Sequence, residues 1–190
     1  MITAGEVARA LYGLGCILRR DATAWRYFNA SPEGLWNSFT AMGLAAPVYL
    51  AQMLLFYFVL PDHPALPLFL AVEGLGFLIN WFLWPNVMVG ACALLNKRER
   101  YLPYLVAYNW FKLVETVIMT PVAALMALNL LPSPLLTALT ITVHLYLLTN
   151  EWFIARRGLG VNGLIAVVLV LVDVQFTLLI GLTSDRIIGG

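Results

Sequence analysis

Charged residues are scarce in this chain. Asp, Glu, Lys and Arg together make up 11% of its 190 residues, while 62% are hydrophobic. A soluble domain has about 25% charged and about 45–50% apolar residues, so a water-exposed globule is excluded as the main body. Cysteine is nearly absent too. Cys16 and Cys92 form no Cys-x-x-Cys pair and have no histidine at ligand spacing, which removes a disulfide framework or a zinc site. Each reads as a buried or interfacial thiol. No basic run is dense enough to follow a phosphate backbone, so nucleic acid is not an expected partner. The chain also lacks the HExxH, GxSxG and P-loop signatures. Gly158-Leu-Gly160-Val-Asn-Gly163 copies a dinucleotide-binding spacing, but no alternating strand and helix surrounds it. It reads as a turn. No cofactor and no metal are expected. A cleavable leader is not visible either, since no apolar run precedes Arg19-Arg20. The first true span is then the expected insertion signal.

What the chain does have is long apolar runs. A bilayer crossing needs roughly 20 mostly apolar residues. The stretches Leu35–Leu60, Pro67–Leu95, Leu102–Leu130, Leu135–Phe153 and Val161–Thr183 all qualify. The expected fold class is therefore all-α and polytopic, with five transmembrane helices in residues 31–190, after a cytoplasmic segment in residues 1–30. Pro47, Pro85 and Pro121 fall inside the first three runs and are expected to kink them.

The cations set an orientation. Arg9, Arg19, Arg20 and Arg26 precede the first run, Lys97, Arg98 and Arg100 lie between the second and third, and Arg156 and Arg157 between the fourth and fifth. The other two linkers carry no Lys or Arg. Nine of the eleven cations thus share one side, which the positive-inside rule assigns to the cytoplasm. Five crossings then place the N-terminus inside and the C-terminus outside. The absence of a targeting segment points to a bacterial inner membrane.

The first 20 residues form a predicted helix. Thr3-Ala-Gly-Glu6 has the capping-box pattern, and Val7, Leu11, Leu14 and Leu18 recur at helical spacing. With Arg9, Arg19, Arg20 and Arg26 this suits an amphipathic helix lying on anionic lipid, with Trp25 dipping into the interface. A helix packed on the cytoplasmic ends of the bundle fits the same pattern equally well. Ser31-Pro32-Glu33 is a second helix start, with Ser as N-cap, Pro at the first position and Glu at the positive end of the dipole.

Polar groups recur at one depth inside the apolar runs. Asn80, Lys112, His144 and Asp173 each sit near the middle of a different run, and Glu115 lies three residues from Lys112. Each also belongs to a stripe of polar and small residues: Glu73, Gly76 and Asn80; Asn109, Lys112 and Thr116; Thr137, Thr140, His144 and Glu151; Asn162, Ala166, Asp173, Thr177 and Gly181. Such stripes are expected to face inward, where small residues allow close approach and polar groups bond between helices. Intramembrane ionisable residues raise the question of a proton or ion path. They also fit a neutralising cluster that fixes which helices are neighbours. The cluster is the preferred account, because the odd span number and the missing inverted repeat are unlike common carriers. A membrane enzyme built on His144 and an acid would need a nucleophile or metal triad that the sequence does not display.

The layout resembles the Yip1 superfamily: a cytoplasmic N-terminal segment, then five closely spaced helices with short outer loops. Local likeness lies in Tyr101-Leu-Pro-Tyr-Leu-Val-Ala-Tyr-Asn-Trp110 and in Glu151-Trp-Phe-Ile-Ala-Arg-Arg-Gly-Leu-Gly160. The second has the aromatic end, basic pair and Gly-containing turn of bacterial Yip1-like proteins. The eukaryotic Asp-Leu-Tyr-Gly-Pro and Tyr-Pro-Phe motifs are missing, so vesicle trafficking and small-GTPase partners are not implied. The resemblance implies a non-enzymatic membrane scaffold or accessory subunit that binds lipids, partner membrane proteins or further copies of itself. A small proton- or ion-coupled transporter or channel subunit is the alternative. The charge distribution makes one direct prediction: a cysteine placed at Asp62 reacts with an impermeant thiol reagent from outside the cell, and one at Arg98 does not. The reverse pattern would invert the topology.

Overall fold

The structure, a computed structural model, describes residues 2–189. Among these the chain is helical from end to end, with no strand. Helix α1 is Ala4–Leu18, followed by a 3-10 turn at Ala22–Tyr27 and the short α2 at Pro32–Ser38. Five long helices follow: α3 Thr40–Val59, α4 Leu66–Leu94, α5 Tyr101–Ala127, α6 Ser133–Leu159 and α7 Gly163–Gly189. The ends follow local chemistry. Thr3 Oγ1 accepts the Glu6 backbone N–H at 3.2 Å, and Ser31 Oγ accepts that of Gly34 at 3.0 Å. Each satisfies an N–H that the first helical turn leaves free. The Thr23 backbone N–H bonds Asp21 Oδ1 at 2.8 Å, which holds that carboxyl below its ordinary value. Gly160 closes α6 with φ +64°, the left-handed conformation that glycine adopts without a Cβ clash.

One half of the expected capping box has another use. The Glu6 carboxylate accepts from Asn29 Nδ2 at 3.3 Å and Asn37 Nδ2 at 3.0 Å. It therefore ties α1 to the segment that begins α2. That segment is tightly folded: a Cβ on Gly34 would collide with the Asn29 carbonyl oxygen.

Four segments are long and apolar enough to cross a membrane: Pro32–Val59, Leu66–Leu94, Arg98–Ala127 and Gly163–Gly189. These make the chain compatible with a multi-pass membrane protein. The remaining long helix, α6, has 27 residues, about 40 Å at 1.5 Å per residue. It falls short in apolarity, because Thr137, Thr140, Thr142, His144, Thr149, Asn150 and Glu151 interrupt its leucines.

The long helices form a ring. α5 packs on α3 and α6, α6 on α7, α7 on α4, and α4 touches both α5 and, more thinly, α3. α5 is the most enclosed: Tyr104–Phe111 is buried without interruption. Such a helix is apolar all round because it is surrounded by other helices. Leu75, Leu164, Leu178, Leu179 and Leu182 point out of the ring and are more than half exposed, the surface expected of helices in lipid. Pro47, Pro85 and Pro121 lie inside helices that continue past them. Beside Pro121, Gln52 Nε2 donates to Thr120 Oγ1 at 2.6 Å and to the Thr116 carbonyl at 3.2 Å. Neighbouring side chains of this kind make proline tolerable in membrane helices.

Of the two placements expected for α1, the structure shows its apolar face on the bundle. Ala10, Gly13, Leu14 and Ile17 are buried against α5 and α6. Tyr146 donates to the Leu18 carbonyl at 2.9 Å, and the Arg20 guanidinium donates to Thr149 Oγ1 at 2.6 Å. Leu11 and Tyr12 remain exposed on the far side, as do Arg9, Arg19 and Arg26. The Trp25 ring lies against Gly158 and Phe28 and is half-buried. Trp36 is the ring turned outward, at 73% exposure.

Gly158 is a close joint between the N-terminal segment and the bundle. A Cβ there would lie 3.2 Å from both Trp25 Cη2 and Tyr104 Cα. Gly158→Leu is therefore expected to cost about 1–3 kcal/mol through overpacking and to lever residues 21–28 away. Limited trypsin digestion in micelles checks this: cleavage at Arg19, Arg20 and Arg26 should accelerate while the long helices stay intact. Unchanged cleavage would mean that this joint does not hold the segment.

Candidate functional site

The polar groups inside the bundle collect around α5. Residues 101, 104, 108, 112 and 115 fall at helical spacing, so Tyr101, Tyr104, Tyr108, Lys112 and Glu115 make one stripe along it. Lys112 Nζ lies 2.6 Å from Glu115 Oε2 on the same helix and 3.7 Å from Glu151 Oε1 on α6. It also stands over the Tyr108 ring, 5.7 Å from the centroid, within cation–π reach. Tyr108 donates its hydroxyl to Asp173 Oδ2 of α7 at 2.7 Å and stacks on Tyr104 with centroids 5.8 Å apart. The Tyr104 hydroxyl accepts the Trp84 indole N–H of α4 at 2.7 Å. A continuous chain of polar and aromatic contacts thus runs from α4 through α5 to α6 and α7.

Burial gives these contacts weight. Glu151 is 5% exposed and Asp173 7%, so neither carboxylate can rely on water for stabilisation. Buried polar groups need internal partners, and a buried charge needs an opposite charge or strong hydrogen bonds. Lys112 serves Glu151, and the Tyr108 hydroxyl serves Asp173. A second tie joins α5 to α2: Asn109 Nδ2 donates to Ser38 Oγ at 2.9 Å. Among the described residues, the buried Trp25 Nε1, Asn109 Oδ1 and Asn150 Oδ1 have no hydrogen-bond partner.

The five residues expected to share one layer divide into three places. Lys112 and Glu115 pair directly. Asp173 joins them through Tyr108. Asn80 turns elsewhere: its Nδ2 donates to the Gly76 carbonyl at 3.2 Å, and its Oδ1 accepts from Thr177 Oγ1 at 3.4 Å, a separate link between α4 and α7. His144 is not brought into the cluster. Its ring is exposed, and Nδ1 lies 2.9 Å from the Thr140 carbonyl of its own helix. The N-terminal half of α6 leaves Leu135, Ile141 and Leu145 more than half exposed, so most of the polar stripe there is not covered by protein.

Glu151, Tyr108, Tyr104 and Trp84 complete the network; of these, the sequence places only Glu151 on a polar stripe. Glu151 belongs to the same α6 stripe as His144, seven residues on. The Tyr-x-x-Tyr-x-x-x-Tyr spacing before Lys112 carried the signal for the other contacts. The cluster supplies one ammonium and three carboxyls, all engaged with protein groups. It shows no paired nucleophile and base. Among the described residues, no group of three His, Cys, Asp or Glu side chains is arranged to hold a metal ion.

The chain matches no protein-family model, no curated protein and no solved structure.

The network predicts a coupled pair. Lys112→Met leaves Glu151 buried without its counter-charge, a loss of about 3–5 kcal/mol. Adding Glu151→Gln should restore part of it, with a coupling energy of about 0.5–3 kcal/mol in a double-mutant cycle. Thermal unfolding in micelles measures both, and strictly additive effects would show that the 3.7 Å contact carries no energy. Tyr108→Phe removes the partner of a buried carboxyl and is expected to cost about 1–3 kcal/mol.

Proposed function

We propose that this protein is a Yip1-like, five-span membrane scaffold or accessory subunit. It sits in a bacterial inner membrane, N-terminus in the cytoplasm and C-terminus outside, and binds lipids, a partner membrane protein or its own copies. The observation that carries this reading is how the intramembrane charges are arranged: Lys112 is matched to Glu115 and Glu151, and Asp173 to Tyr108. Groups committed to one another hold helices in register, which is what a scaffold needs.

Four further features support it. In this reading α6 is the fourth of the five crossings, with Glu151 neutralised from α5. A helix carrying a charge is tolerated in lipid when the charge faces the bundle interior and is paired there. The close approach of Trp25, Tyr104 and Gly158 gathers the N-terminal segment, the start of α5 and the end of α6 at one end of the bundle, as the cation distribution requires. At that end Leu11, Tyr12, Arg9, Arg19 and Arg26 are exposed, a combination suited to anionic headgroups. Trp152 stacks under Arg156, 5.1 Å from the guanidinium carbon, as an anchor between oily and wet surroundings.

The alternative, a small proton- or ion-coupled path, draws on one observation: the Lys112 and Glu115 side chains retain 22% and 26% exposure, so one edge of the cluster is open. Native mass spectrometry of protein drawn gently from its own membrane separates the two. A scaffold or subunit is expected to fly with a stoichiometric partner, or as a defined oligomer with bound lipid. A bare monomer retaining only a small ion, together with flux in vesicles that a folded Lys112→Met variant loses, would overturn the scaffold reading.

A further inference from the structure

The bundle has a large opening that the polar network does not use. A cavity of about 690 Å³ lies at the end of the bundle formed by the α3–α4 linker and the C-terminal turn of α7. It sits where the ring is weakest, between α3 and α4, whose contact is thin. The volume falls within the roughly 300–1,000 Å³ of small-molecule sites. Its wall has two chemical characters. Phe56, Phe69 and Tyr49 supply aromatic surface, while Asp62 from the linker, Glu73 from α4 and Asp185 from α7 supply carboxylates. No Lys or Arg lines it. His63, the single basic lining group among the described residues, lies tilted against Tyr57 with centroids 5.1 Å apart, and the three acids outnumber it whatever its charge.

These features discriminate among ligands. Three carboxylates around one cavity repel anions and concentrate cations. A compact metal ion does not fit, because the carboxylates stand on separate walls, and among the described residues no His, Cys, Asp or Glu trio converges to metal-binding geometry. A cation with an apolar body fits both characters: its charge is met by the carboxylates and by ring faces, and its body by Phe56, Phe69 and Met53. The wall is also preorganised, since Tyr49 donates to Glu73 Oε2 at 2.9 Å and stacks on Phe77 with centroids 4.9 Å apart. A hydroxyl bond that fixes one carboxylate oxygen sets the charge at a defined place in the wall.

We propose that this cavity binds a small organic cation, an ammonium group carried on an aromatic or alkyl body. The inference rests on the cavity alone and stands apart from the scaffold reading.

The test uses the full chain in micelles of an uncharged maltoside detergent, titrated calorimetrically with three probes of similar size. Benzyltrimethylammonium should bind, while benzyl alcohol and phenylacetate bind at least about tenfold more weakly. The Asp62→Asn, Glu73→Gln, Asp185→Asn triple variant keeps a hydrogen-bond acceptor for Tyr49 and should weaken the cation at least about tenfold without changing helix content. The proposal fails if the neutral or anionic probe binds as tightly as the cation, or if the folded triple variant binds it unchanged. The probe ranking on the wild-type chain decides the matter even where the variant does not fold. Competition by short-chain phosphatidylethanolamine would assign the ammonium to a lipid headgroup, and its absence to a soluble cation. Both results uphold the site.

Discussion

Lys112 sits on the most enclosed helix of the bundle, and the surrounding helices must bring partners to its charge. An isolated ammonium in apolar surroundings is strongly unfavourable, and pairing relieves this only when the geometry is good and the remaining polar atoms are bonded. Here α5 supplies Glu115 from its own next turn, α6 supplies Glu151, and the Tyr108 ring covers another side. The same ring carries the hydroxyl that holds Asp173 on α7. The requirement to settle one charge thereby fixes the rotation of three helices. Removing apolar contacts elsewhere would loosen the bundle, whereas removing this charge would leave its partners stranded.

The two ends of the molecule are built differently. At the end that carries most cations, the N-terminal helix, the 3-10 turn, the start of α5 and the end of α6 interlock through Gly34, Trp25 and Gly158, with little space for even a methyl group. At the other end the linker between α3 and α4 folds back over aromatic side chains and leaves a cavity edged by acids. In the scaffold reading the packed end organises partners or lipid on the cytoplasmic side, and the open end faces the outside with a separate binding capacity.

Much of the architecture was legible in the chain. The five apolar runs match α3 to α7 within a few residues at most ends, because sustained apolarity of that length has few structural outcomes. The Ser31 cap was also legible, since its chemistry is local. Side-chain destinations were less so. Glu6 completes a capping-box pattern in sequence, yet the asparagines at 29 and 37 compete for its carboxylate. His144 and Glu151 lie on the same stripe of α6, but a stripe does not say how much of a helix is covered. Neighbours cover only its inner half, so Glu151 is buried and His144 is not. Asp173 was placed correctly on an inward face, while its partner Tyr108 was hidden inside a run of aromatics that resembles ordinary packing.

The interlocked charges also constrain how the molecule can change over generations. Glu151 has a single opposite charge within reach, and that charge is shared with Glu115. A change at position 112 alone leaves Glu151 without its counter-charge, and loss of Glu151 removes the charged contact between α5 and α6. Lys112, Glu115 and Glu151 thus act as one physical unit across α5 and α6, whereas His144 contacts only the Thr140 carbonyl of its own helix.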